Sequence, residues 1–146
     1  MADELDNRQL SLKLYIIMHH AFNSLQDQSF KDMKRYGLNP TEFAVLELLY
    51  NRGPQQIREI GSRVLLASGS ITYVVDKLVN EGYAVKEQYE RDRRITYVSL
   101  RPKGRKLMDE IFPQHADQME RITSGLTARE KKRLADLLKK LGKNVK

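Results

Sequence analysis

Residues 71–100, ITYVVDKLVNEGYAVKEQYERDRRITYVSL, change their hydrophobic period halfway along. In the first part Ile71, Val74, Val75 and Leu78 recur at helical spacing and make one apolar face, with Gly82 as a C-terminal stop. From Tyr83 onward the period falls to about two. Residues 83–88 and 95–100 are rich in β-branched and aromatic side chains and predict two strands. Between them Tyr89-Glu90-Arg91-Asp92-Arg93-Arg94 is polar and charged, suited to the projecting tip of a hairpin.

Upstream, residues 55–64 predict a short helix with Ile57, Ile60 and Val64 on one side, and Ala67-Ser68-Gly69-Ser70 introduces the next helix. Before these, Asn39-Pro40-Thr41-Glu42 is a turn leading into a helix with Thr41 as N-cap and Leu46, Leu49 and Tyr50 inside, stopped by Gly53-Pro54. Three helices in succession, the last two tightly joined, are the arrangement of a helix-turn-helix. Residues 9–35 form a long helix through Leu10, Leu14, Ile17, Met18, Ala21, Phe22, Leu25 and Met33, ended by Gly37. Downstream, Pro102 opens a fifth helix carrying Leu107, Met108, Ile111 and Phe112, which Pro113 is expected to kink or interrupt before Met119 and Ile122. After Gly125, Thr127-Ala128-Arg129-Glu130 is a capping box for a last helix with Leu134, Leu137, Leu138 and Leu141 at coiled-coil-like spacing. The expected fold is mainly α: six helices with a small β-hairpin wing, a winged helix-turn-helix. No repeat or linker divides it, so residues 1–146 are expected to be one domain, with the winged helix-turn-helix lobe at 38–101 flanked by helices at 8–36 and 102–146.

The 146 residues carry a net charge of +7, with 40% hydrophobic and 31% charged residues, a globular balance that makes a polyanion the natural partner. No cysteine is present, which excludes disulfides and thiolate zinc sites and fits a reducing compartment. The first nine residues are acidic and polar, unlike a secretory leader, and no apolar run approaches the ~20 residues of a membrane span. A cytoplasmic location without membrane contact is expected.

The basic excess is concentrated. Between Tyr83 and Lys106 eight Lys and Arg residues face three acids. A strand pair with a cationic tip can enter a narrow minor groove, where the negative potential is strongest. Asp92 beside Arg94 can brace the guanidinium in one direction. A solvated turn would also be charged, but the preceding helix favours nucleic acid. Its outer side presents Ser68, Gly69, Ser70, Thr72, Tyr73 and Lys77: small polar groups at the tip, where a helix approaches phosphates, then a ring and a cation. The expected DNA-binding set is these six with Arg91, Asp92, Arg93, Arg94 and Arg101.

ITYVVDKLVNEG (residues 71–82), followed by Asp92-x-Arg94, Val98-x-Leu100 and Gly104, resembles the recognition helix and wing of the MarR/SlyA family. The likeness extends over essentially the whole chain. GLNPTEFAVLELLY (residues 37–50) and LLASGSITYVVDKL (residues 65–78) are most similar to its MhqR-like branch of repressors. The resemblance implies a dimer in which the first, fifth and sixth helices interlock, a recognition helix in the major groove, and Arg94 in the minor groove with Asp92 as its partner. It further implies repression relieved by a small phenolic or quinone-like effector. Arg101 replaces a customary threonine, and Ala67 stands where a Ser or Asp often caps the recognition helix. By position, the effector candidates are Met18, His19, Phe22, Phe43, Leu46, Tyr50 and His115; for each of them ordinary core or interface packing is the competing account.

Two other classes compete with this reading. A zinc-responsive regulator would have to use His19, His20 and His115, the only histidines, and adjacent His19 and His20 point to different faces of a helix. An enzyme would need a phosphate loop, a nucleophile elbow or paired carboxylates, and none of these patterns is present. Neither a cofactor nor a metal is expected.

Overall fold

The computed structural model describes residues 5–64 and 70–146. Helix α1 (Asn7–Met33) starts at Asp6, whose carboxylate accepts from the Gln9 N–H while the Gln9 side chain returns to the Asp6 N–H. A single 3-10 turn (Lys34–Tyr36) follows, where buried Asp32 holds Arg35 at 2.7 Å and accepts from the Tyr36 hydroxyl at 2.8 Å. Gly37, with φ of 73°, then reverses the chain. Helix α2 (Pro40–Arg52) is capped by Asn39, not by Thr41 as the sequence suggested. Pro40 occupies the first helical position, where its missing N–H costs nothing, and Glu42 closes a capping box back onto Asn39. Thr41 is therefore inside the first turn.

Residues 55–64 differ from the expected single helix. Gln55–Gln56 form a two-residue strand, β1, before α3 (Ile57–Arg63) begins. Helix α4 (Ile71–Asn80) is followed by β2 (Ala84–Tyr89) and β3 (Asp92–Leu100), which make the hairpin, and β1 adds to the open side of β3 in an antiparallel order β1-β3-β2. The first strand is shifted by one residue and the second starts three residues earlier than anticipated, so the loop at the tip shrinks to Glu90 and Arg91. Helix α5 (Pro102–Ile122) runs through Pro113 without ending. Ile111, buried, and Phe112, packed on the core, hold the segment in place, and their burial outweighs the backbone bond that proline removes. Helix α6 (Ala128–Val145) opens with the expected Thr127/Glu130 capping box, and the Thr127 backbone N–H, donating to the Glu130 carboxylate at 2.9 Å, is the first cause of that carboxyl lying below its ordinary range.

The core lies among α2, α3, α4, the base of the hairpin and the first half of α5. Phe43, Leu46, Leu49, Ile60, Val75, Leu78, Val98 and Met108 are fully enclosed there. The predicted inner face of α4 is buried as expected through Val74, Val75 and Leu78, worth about 1.5–3 kcal/mol for each side chain withdrawn from water. The start of α5 is pressed against the turn before β2. The Arg101 N–H donates to the Tyr83 carbonyl at 3.0 Å, and a Cβ added to Gly104 would lie 2.2 Å from that same oxygen. Outside this lobe the pattern reverses. Helix α6 has no buried residue, and Leu134, Leu137, Leu138 and Leu141 stand open to solvent together with Leu10, Leu14 and Ile17 of α1. A stripe of that length on a chain with a complete core elsewhere is an unsatisfied surface.

Candidate nucleic-acid interface

Helix α4 is amphipathic, so burying Val74, Val75 and Leu78 turns Thr72, Tyr73, Lys77 and Asn80 outward. Ser70 is its N-cap, and its hydroxyl accepts from the Tyr73 N–H at 3.4 Å. Ser68 and Gly69, also expected at this tip, lie outside the described residues. Tyr73 is 72% exposed, an unusual position for a large ring. Lys77 behaves differently from the free cation anticipated. Its ammonium lies 3.2 Å from the Glu42 carboxylate, which is only 4% exposed, and that hydrogen bond and charge hold the lysine above its ordinary range. Lys77 thus spans from α4 to the start of α2.

The hairpin continues from the core outward. Ala84 pairs with Leu100, Lys86 with Val98 and Gln88 with Thr96, so the strand face that is buried at the base emerges into solvent toward the tip. Lys86 forms an ion pair with Asp76 of α4, and both side chains are partly exposed. This contact joins the outward side of α4 to the outward side of β2, making one continuous surface. Beyond it the register shifts between Gln88 and Tyr89, a bulge that re-aims the end of the wing.

Asp92 and Arg94 form the brace that the sequence suggested. The Asp92 carboxylate accepts from Arg94 Nε and Nη2, each at 3.1 Å, and from the Arg94 backbone N–H at 3.0 Å. The guanidinium is fixed by two parallel hydrogen bonds while its side chain is 91% exposed. Those bonds, the side-chain pair first, hold the Asp92 carboxyl below its ordinary range. A depressed carboxyl keeps its pairing above the ordinary value and loses it only as pH falls through the lowered one. The Arg94 Nε–H resonance is accordingly expected to stay in its paired position from pH 8 down to ~4 and to move only below that, whereas in Asp92→Asn it should sit at the unpaired position throughout. Movement centred near pH 6 would disprove the brace.

Of the eight cations between Tyr83 and Lys106, four are committed within the chain. Besides Lys86 and Arg94, Lys103 donates to the Glu81 carbonyl at 2.7 Å and lies over the Tyr83 ring, and Arg105 lies 5.8 Å from the centre of the Tyr50 ring. Arg91, Arg93, Arg101 and Lys106 are exposed and have no ion-pair partner among the described residues. These pairings join residues distant in sequence, so charge counting could not detect them; only Asp92-x-Arg94, a local pair, was visible.

The seven effector candidates do not converge on one cavity. Phe22 and Phe43 line a pocket of about 450 Å³ with Leu25, Phe30, Met119 and Ile122, between α1, α2 and α5. Leu46 is enclosed in the core. The Tyr50 hydroxyl donates to Asp109 Oδ1 at 2.6 Å, a bond that raises its pKa. His115 packs against Phe43 at 4.6 Å between ring centres, with Nε2 3.5 Å from Glu47. Met18 lines a separate groove with Leu14 and the leucines of α6, and His19 is exposed beside Asn23 at 3.1 Å. Leu25, Phe30, Met119 and Ile122 were missed because their helical spacing reads equally well as core. Among the described residues no three His, Cys, Asp or Glu side chains cluster to hold a metal, and no helix is long and apolar enough to cross a membrane.

Residues 38–96 match the family model described as MarR family. The chain is 49% identical over 132 residues to YkoM, an HTH-type transcriptional regulator of Bacillus subtilis (strain 168), covering 90% of this chain and 86% of that protein. It is 45% identical over 136 residues to the HTH-type transcriptional regulator MhqR of the same organism, covering 93% and 94%. Among solved structures, Sco3205, a MarR family transcriptional regulator from Streptomyces coelicolor in complex with DNA, superposes with a TM-score of 0.79 at 19% identity, covering 98% of this chain and 94% of that one.

Proposed function

The chain belongs to the MarR family of transcriptional regulators, and from that premise we propose that it represses transcription as a homodimer bound to a pseudo-palindromic operator. It is a regulator and not an enzyme. The observation that carries the reading is the wing: a fully presented Arg94 guanidinium, braced by Asp92, on a surface continuous through Lys86 and Asp76 with the outward side of α4. Bracing matters because an arginine already held in one direction loses less side-chain freedom on binding. In this reading α4 enters the major groove with Ser70, Thr72 and Tyr73, while Arg94 reaches the minor groove and Arg91, Arg93 and Arg101 neutralise phosphates. Lys77 acts from behind, setting the angle of α4.

The exposed stripes on α1 and α6 supply the dimer, with helices at 8–36 and 102–146 interlocking with those of a second copy and carrying two DNA-binding lobes, residues 38–101 of each. Two such lobes address half-sites about 10 bp apart. The pocket beside Phe22 and Phe43 suits a small aromatic effector, phenolic or quinone-like, because it is apolar, of ligand size, and lies where α1 and α5 meet α2. Such an effector releases DNA only by preferring the non-binding arrangement; tenfold release needs about 1.4 kcal/mol of difference.

A genome-wide binding map with the full chain, followed by a screen of phenols and quinones for release from the recovered site, tests this reading. Recovery of a two-fold related site supports it, and a chain that selects no site overturns it. On that site Tyr73→Ala is expected to cost about 1–3 kcal/mol, while its affinity for random duplex changes less than about threefold, because base contacts specify and phosphate contacts only position. Equal losses on both duplexes would remove Tyr73 from sequence readout.

A further inference from the structure

Strand β1 is the element the sequence did not show, and it controls where Arg58 stands. Gln55 and Gln56 are in register with Val98 and Tyr97 of β3, and Gln56 Nε2 reaches the Tyr97 hydroxyl at 3.5 Å. Arg58 follows in the first turn of α3, exposed and without an ion-pair partner among the described residues. It lines a groove of about 590 Å³ with Gln56 and Ile57 on one side and Asp92, Arg94, Ile95 and Thr96 of the wing on the other. Among the described residues Asp92 is the only acid lining this groove, and both of its oxygens are occupied by Arg94. Two guanidiniums and two neutral hydrogen-bonding side chains therefore face one trench.

We infer that this groove seats one sugar–phosphate strand of the DNA and that Arg58 contacts its phosphates, giving α3 a direct part in binding. The inference rests on the DNA-binding reading above and extends it to an element and a residue outside the recognition helix and the wing. Charge complementarity supports it. Asp92 offsets the charge of Arg94, while Arg58 has no acid against it among the residues lining the groove, so the trench keeps a net positive charge that a line of phosphates would neutralise. Preorganisation supports it as well. The backbone pairing of β1 with β3 sets the separation of the two walls before DNA arrives, so the chain spends no ordering entropy to bring them together. An arginine on an untethered loop would have no such fixed relation to Arg94.

The test is a titration of the full chain with a random-sequence 30-bp duplex, followed by fluorescence anisotropy at several KCl concentrations. Arg58→Gln is expected to weaken binding about tenfold and to lower the slope of log affinity against log salt by about one per Arg58 engaged. Arg58→Lys should recover most of the slope, because a phosphate contact needs the charge more than the fork. Lys139→Gln, which removes an equal charge from the exposed side of α6, should leave the slope unchanged. If wild-type chain binds and Arg58→Gln matches it in affinity and slope, or if Lys139→Gln falls equally, the Arg58 contact is overturned while the recognition-helix reading stands. A wild-type chain that binds no duplex would remove both.

Discussion

Arg94→Ala is expected to weaken binding to the specific site by about 1–3 kcal/mol for each wing engaged, a factor of roughly ten to over a hundred, with the fold unchanged. The fold should survive because the side chain is almost wholly in solvent and its partner Asp92 is itself partly exposed, so the substitution leaves no buried charge. The affinity should fall by more than an average phosphate contact because a fixed guanidinium in a narrow groove gains from the focused negative potential there. Anisotropy on the mapped site, with circular dichroism as the folding check, measures both. An unchanged affinity would take the wing out of recognition altogether.

Gly104→Ala is expected to lower stability by about 3 kcal/mol, the upper end for overpacking, because the new methyl would meet the backbone oxygen of Tyr83 rather than a side chain able to turn away. Relief requires α5 to lift from the turn before β2. That motion breaks the Arg101–Tyr83 backbone bond and loosens Met108 from the core. In thermal unfolding the midpoint should fall by about 6–12 °C for a chain of this size. A fall of less than ~2 °C would mean that the helix start is not held as tightly as its geometry indicates.

Helices and caps that depend on local pattern were legible in the sequence. The inner face of α4 follows from Ile71, Val74, Val75 and Leu78, the start of α6 from Thr127 and Glu130, and the brace from Asp92-x-Arg94. What escaped depends on partners far along the chain. Gln55 and Gln56 carry no strand signal, since two polar residues have no period; they are extended only because the open side of β3 supplies hydrogen bonds. The cap of α2 was displaced by two residues because Thr41 is a good cap in isolation, and the claim of Pro40 on the first helical position was overlooked. Pro113 obeyed packing over propensity. Lys77 was expected as a cation on the outer side of α4, and its bond to a nearly buried carboxylate 35 residues earlier could not be read from local pattern. For the pocket beside Phe22 and Phe43, the pattern of apolar residues on α1, α2 and α5 does not by itself separate a lining from a core.

The pairing of Gln56 with Tyr97 spans 41 residues, and the loop it closes contains α3 and α4 entire. Closing a loop of that size delays reward until both ends have met, so this step belongs late in folding rather than early. During synthesis, the helix-turn-helix leaves the ribosome well before the strand that locks it. The segment from α3 to α4 is therefore expected to gain its rigid frame only once β3 has been made and paired with β1.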